Sequence, residues 1–245
     1  MLEAAFWGLI AASALVIGAE IAFAFKLSRM AIGLVMAFGV GTLISSIAFE
    51  LVEPSLALAE GWVVAAGLAV GAVVFFLGDR AIARMGGSKR KSADGDESGE
   101  SEDGGMGIAL GSALDGIPES AALGMSIATT GGVSIALLAA IWISNLPESL
   151  GSSVGMIKTG RPKHWVRGLW WSIAMVCTVS AALGFWIISS VDPATGAVVQ
   201  AFAAGALLTM IADEMAPEAF GKSALYTGLA TTAGFILAVF LGTLE

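Results

Sequence analysis

The chain has 245 residues, of which 57% are hydrophobic and only 13% charged, with 32 glycines, one cysteine and a formal charge of −8. A soluble domain carries about a quarter charged residues, so a conventional water-soluble core is excluded. Nothing in the charge pattern points to a nucleic-acid partner, and a single cysteine excludes an intrachain disulfide.

Apolar stretches of membrane-crossing length, about 17 to 25 residues, recur along the chain at 3–25, 31–53, 61–79, 106–130, 132–156, 167–190, 196–219 and 223–244. The predicted fold is therefore an all-α, polytopic membrane protein, a bundle of eight transmembrane helices forming one domain over 1–245. The first stretch has no basic leader and reads as a span, not as a cleaved signal. Basic residues give the orientation. Lys26 and Arg29 follow the first span; Arg80, Arg84, Lys89, Arg90 and Lys91 follow the third. Lys158, Arg161, Lys163 and Arg167 lie between the fifth and sixth, and Lys222 lies between the last two. The opposite connections have none, so both termini are placed outside the cytoplasm and the protein in the cell membrane.

The connection at 80–105 begins basic and turns acidic at Asp94, Asp96, Glu97, Glu100, Glu102 and Asp103. With little to bury, it reads as a disordered cytoplasmic linker, or alternatively as a weak cation-collecting segment. Trp62, Trp165, Trp170 and Trp171 fall near span ends, as an aromatic belt requires. Met36, Met125, Met175 and Met210 read as packing residues. Gly67 and Gly71 permit close helix approach.

The fourth span contains Asp115-Gly-Ile-Pro118-Glu119-Ser120, with two carboxylates one helical turn apart on one face. Pro118 leaves the Leu114 carbonyl without its helical donor. The fifth span contains Ser144-Asn145-Leu-Pro147-Glu148-Ser149. Asp115 and Glu119 lie nine and thirteen residues from the inner start of their span; Asn145 and Glu148 lie eleven and eight from the inner end of theirs. At about 1.5 Å per residue, an antiparallel pair could gather all four near the midplane. Buried carboxylates are costly in a membrane unless they share a proton or a cation. Asp115, Glu119, Glu148 and Asn145 are thus the first candidates for metal ligands, followed by Ser112, Ser144 and Ser149. Asp213 and Glu214, in the inner half of the seventh span, suit an exit path or second site. Glu20 and Glu218 read as interfacial. Glu50 and Glu53 read either as a cation-attracting entrance or as headgroup-level residues.

At Asp115-Gly-Ile-Pro-Glu119 and Ser144-Asn-Leu-Pro-Glu148 the chain resembles the ZIP metal permeases, the zinc- and iron-transporter-like family. The likeness covers nearly the whole chain. It implies uptake of a divalent metal ion toward the cytoplasm, with the ion as transported substrate and no cofactor. Asp115 stands where relatives carry a His, Gly116 where they carry Asn, and Ser144 where they often carry His or Gln. The end of the seventh span, Asp213-Glu214 with Pro217-Glu218 after it, stands where they often carry His-Glu before a Pro-Glu pair. Oxygen ligands favour manganese, magnesium or ferrous iron, although zinc also accepts carboxylates. The other classes open are a proton-coupled carrier of an organic solute and a metal-binding membrane protein that does not transport. An enzyme is the least expected class. The lipid bilayer and the metal cation are the expected partners, with a second copy of the chain as a candidate homodimer partner.

Overall fold

A computed structural model describes residues 1–84 and 104–244. The elements are α1 (Leu2–Ala24), α2 (Arg29–Ser46), a π-helical turn (Ile47–Val52), α3 (Glu53–Leu58), α4 (Gly61–Arg84), α5 (Gly104–Thr130), α6 (Ile135–Lys158) and α7 (Lys163–Ser189). They continue with α8 (Pro193–Met210), a second π turn (Ile211–Met215), α9 (Ala216–Ser223), a 3-10 turn (Ala224–Tyr226) and α10 (Thr227–Gly242). The described residues thus form an all-α bundle of eight rods, α2–α3 and α8–α9 each counting as one.

Among the described residues, six helical stretches are long and apolar enough to cross a membrane, which marks a multi-pass membrane protein. The helix α5, which carries Asp115 and Glu119, is not among the six. Pro193–Gly242 counts as a single stretch of 50 residues. Straight, it would reach about 75 Å, far beyond the roughly 30 Å of a hydrocarbon core. It breaks at Ala224, which takes a positive φ of 32° without being glycine. The acidic run of the 80–105 connection lies outside the described residues, but α4 continues to Arg84.

Local sequence explains where the rods start and turn. Ser28, Ser134 and Asp192 cap α2, α6 and α8 by accepting hydrogen bonds from the first-turn amides. Gly131 and Gly160 take positive φ in the connections on either side of α6. Trp170 departs from the aromatic-belt expectation. It is fully buried with Leu15, Met156 and Cys177, and its indole donates to Ser153 Oγ at 2.8 Å. Trp62 and Trp171 are exposed, as a belt requires.

Glycines set the closest helix contacts. A Cβ added to Gly41 would strike the Thr231 carbonyl, and one on Gly234 would strike the Phe38 carbonyl, so α2 and α10 clasp each other reciprocally. The same holds for α4 and α8, through Gly71 against Phe202 and Gly205 against Leu68. A third clasp joins α5 and α7, through Gly124 against Ala181 and Gly184 against Ala121. In lipid, such backbone approach supplies the packing and Cα–H···O contacts that the hydrophobic effect cannot.

The first two clasps are one clasp used twice. Ala37-Phe38-x-x-Gly41-x-Leu43-x-x-x-Ile47-Ala48-x-Glu50 in α2 matches Ala201-Phe202-x-x-Gly205-x-Leu207-x-x-x-Ile211-Ala212-x-Glu214 in α8. Both stretches run into a π turn, and both π turns lead into a short helix with proline in its first turn. The start of α2 meets Lys222 and Ser223 at the end of α9, while the start of α8 shares a surface hollow with Leu58 and Ala59 at the end of α3. The two rods therefore run antiparallel, and the repeat is inverted.

Candidate functional site

The two proline-bearing helices stay continuous. Pro118 sits inside α5 and Pro147 inside α6, with neither helix ending there. Proline cannot donate to the carbonyl four residues back, so the expected loosening takes the form of carbonyls released at Leu114 and Ile143, not of a broken rod.

Around Pro147 the neighbours come in close. A Cβ on Gly18 of α1 would lie 2.5 Å from the Leu146 carbonyl, and one on Gly39 of α2 would lie 3.1 Å from Ser144 Cα. These two glycines hold the Ser144–Ser149 turn between α1 and α2. Ser149 is used up structurally: its hydroxyl faces the carbonyls of Asn145 and Leu146 at 3.1 Å each and that of Ala14 at 3.4 Å. It acts as a clip between α1 and α6. Ser144 faces the other way and donates to Glu119 Oε1 at 3.3 Å, with the Ile141 carbonyl at 2.9 Å as its second acceptor.

Glu119 is the centre of the group. It is 2% exposed, and its Oε2 has no hydrogen-bond partner among the described residues. Glu148 and Asp115 both lie close enough to act on it electrostatically. Asp115 and Asn145 are buried as well, and Glu148 is half-buried. Asp115 and Glu148 thus each lie within electrostatic reach of Glu119, and Asn145 occupies a buried position on α6 beside Ser144.

Asp213 and Glu214 stand apart in the second π turn, which packs against α2; Asp213 is exposed and Glu214 half-buried. Glu20 pairs with Arg167 and Glu218 with Lys222, as interfacial residues do. Among the described residues, no three His, Cys, Asp or Glu side chains are arranged to hold a metal ion. The carboxylates share a buried neighbourhood without converging on one point.

Cys177 on α7 is the neighbour that motif reading passes over. Its sulfur would lie 2.7 Å from a Cβ on Gly116, and its thiol is hydrogen-bonded with Ser120. A bulkier residue at 116 would collide with it. The lone cysteine and the glycine between Asp115 and Glu119 are both plain in the sequence, but only the α5–α7 clasp brings them together.

A cavity of about 580 Å³ opens at one end of the bundle, where α2–α3, the start of α6 and the end of α10 meet. These are ends that carry no basic residue. At the other end, Lys163 Nζ donates to the Phe23 carbonyl at 3.3 Å, Arg167 pairs with Glu20, and Lys222 packs on Gly33. The two ends of the bundle therefore differ in charge, as the basic-residue pattern requires.

No protein-family model matches the chain, and no curated protein matches it significantly.

Proposed function

We propose that the chain is a divalent-metal permease of ZIP type, with eight spans and outside termini, carrying manganese, ferrous iron, magnesium or zinc toward the cytoplasm. One observation carries this reading. Glu119, buried in the bundle, receives a hydrogen bond from Ser144 across the α5–α6 contact and lies within electrostatic reach of Asp115 and Glu148. A neutral interior has no use for three neighbouring carboxylates, whereas a passing dication offsets their repulsion and their lost hydration.

In this mechanism the ion enters at the basic-free end, through the cavity beside Glu50. It sheds water as it reaches Glu119, and Asp115 and Glu148 close on it from α5 and α6. The carboxylates need to be drawn together around the ion, since among the described residues no three of them converge on one point. Asn145 and the released carbonyls at Leu114 and Ile143 offer neutral oxygens that hold the ion without trapping it. The ion leaves past Glu214 and Asp213. The inverted repeat supports a cycle in which one rod group moves against the other about this site.

The test is uptake into proteoliposomes under Mn²⁺/Zn²⁺ competition. Glu119→Gln and Glu148→Gln each lower uptake by about 100-fold or more, the cost of removing a charge that meets a dehydrated ion. Near-normal transport by both variants would sink the reading. A cysteine placed at Gly95 reacts only from the cytoplasmic side if the orientation is right; labelling from outside intact cells would reverse it.

A further inference from the structure

We infer that the cavity at the basic-free end is itself a binding site for a hydrated divalent cation, held by Glu50 and Glu53 with the Ser46 hydroxyl. Its placement on the outer face rests on the permease reading, whereas its chemistry does not.

Ser46, Glu50 and Glu53 follow one another at helical spacing along the α2–α3 rod, and all three line the cavity. Ser46 is 2% exposed, and its Oγ has no hydrogen-bond partner among the described residues. Buried hydroxyls without partners are uncommon and costly, so this one points to a polar occupant. Glu50 Oε1 would lie 3.9 Å from a Cβ on Gly242, which places its carboxylate beside the end of α10. Ala57, Ala136 and Ala238 keep the remaining wall low, leaving room for water around an ion.

Among the described residues, no Lys, Arg or His lines this cavity. Two carboxylates beside a low-dielectric wall focus a negative field and concentrate cations. They are too few to replace a full hydration shell, so the ion keeps most of its water and contacts the protein through one or two carboxylates, as Mg²⁺ and Mn²⁺ commonly do. The π turn lies between Ser46 and Glu53. Such single-turn π segments often occur at functional sites. This site is separate from the Asp115–Glu119–Glu148 group, which lies deeper in α5 and α6.

The probe is Mn²⁺ alone, added to the full-length protein in detergent and followed by loss of the free aqua-ion EPR signal. The background is Glu119→Gln with Glu148→Gln, so that the deeper group is neutralised. One weak Mn²⁺ site should remain. Adding Glu50→Gln should weaken it on the order of tenfold, and Glu53→Gln by a smaller factor, because affinity follows ligand charge. Ala57→Lys at the rim leaves the carboxylates intact and should weaken Mn²⁺ at low salt more than at high salt, which guards against misfolding of the carboxylate variants. Mn²⁺ binding unchanged by all three substitutions, or absent from the neutralised background, overturns the site. If Mn²⁺ binds here but vesicles accumulate no metal, this site stands and the permease reading falls. If uptake proceeds while Glu50→Gln changes neither binding nor KM, the permease reading stands and this site falls.

Discussion

The rods α2–α3 and α8–α9 carry the same pattern in opposite directions, so their differences are more telling than their likeness. Both bury the alanine, leucine and isoleucine of the repeat, both clasp a partner helix by glycine, and both enter a π turn that carries a glutamate, Glu50 or Glu214. The partners differ where the rods meet the bundle ends. Phe49 precedes Glu50, whereas Asp213 precedes Glu214; Ser46 lines the cavity at the basic-free end, whereas Met210 is buried core. The shared residues build the scaffold. The unshared ones give its two ends different chemistry: a hydroxyl and spaced carboxylates at one, adjacent carboxylates at the other. On the permease reading this difference sets direction, with recruitment outside and release inside.

Breaking the clasps tests the likeness. Gly41→Leu and Gly205→Leu place side chains into the carbonyls of Thr231 and Leu68, and each should lower stability by about 3 kcal/mol as an overpacked contact. Thermal denaturation in detergent measures both. The informative result is their equality, since equivalent positions of a repeat should respond alike; a large effect at one and none at the other would mean that the repeat is only a coincidence of letters. Gly168→Ala and Gly221→Ala serve as controls. Nothing lies within 4 Å of a Cβ at either, so each should be neutral or stabilising by up to about 1 kcal/mol through helix propensity.

Substitution at the unshared position sharpens the difference between the ends. Asp213→Phe gives the second π turn the residue found at Phe49. It should reduce the maximal rate of metal uptake by about threefold to tenfold while changing KM little, because a weakened field at the exit slows release more than entry. Measuring both parameters across Mn²⁺ concentrations separates the two. A raised KM with an unchanged maximal rate would place Asp213 on the entry side and reverse the assignment. Selectivity offers a related test at the centre. Asp115→His should raise the Zn²⁺/Mn²⁺ uptake ratio, since imidazole favours the later first-row metals.

Much of this was legible in the letters. Apolar runs and basic residues foretold the all-α bundle and its two unlike ends, and the paired Pro-Glu motifs foretold that Glu119 and Glu148 would be neighbours. Helix ends were less legible. Lys163 and His164 look like loop residues, yet α7 begins at Lys163, directly after the extended N-cap residue Pro162. Trp170 is an aromatic at a span end by spacing, but rotation about α7 turns it inward onto Ser153, and rotation is not set by hydrophobicity in a helix that is apolar all round. The facing of Cys177 onto Gly116 and Ser120 is hidden for the same reason. The inverted repeat is written in plain residues, but its register stands out only once Gly41 and Gly205 are seen making matching contacts.

The starts of the two rods provide the smallest and most local contrast. Ser28 caps α2 with one bond, accepting from the Ala31 amide at 3.1 Å. Asp192 caps α8 with three: Oδ1 accepts from the Ala194 and Thr195 amides at 3.1 Å each, and Oδ2 accepts from the Thr195 hydroxyl at 2.6 Å. The Thr195 hydroxyl first, and then the backbone amides, hold the Asp192 carboxyl below its ordinary range. A carboxyl depressed in the folded state contributes its stabilisation above the unfolded pKa and loses it as pH falls through the folded one. Acid should therefore loosen the start of α8 and leave the Ser28 cap of α2 unchanged. Hydrogen exchange at Ala194 and Thr195, corrected for intrinsic rates and compared between about pH 6 and about pH 3, should show protection that fades in the native chain. In Asp192→Asn the amide oxygen still caps but cannot titrate, so protection should be lower at the higher pH and nearly flat. A native chain whose protection at these two amides does not depend on pH would show that Asp192 contributes geometry alone, and the contrast between the two caps would then have no electrostatic content.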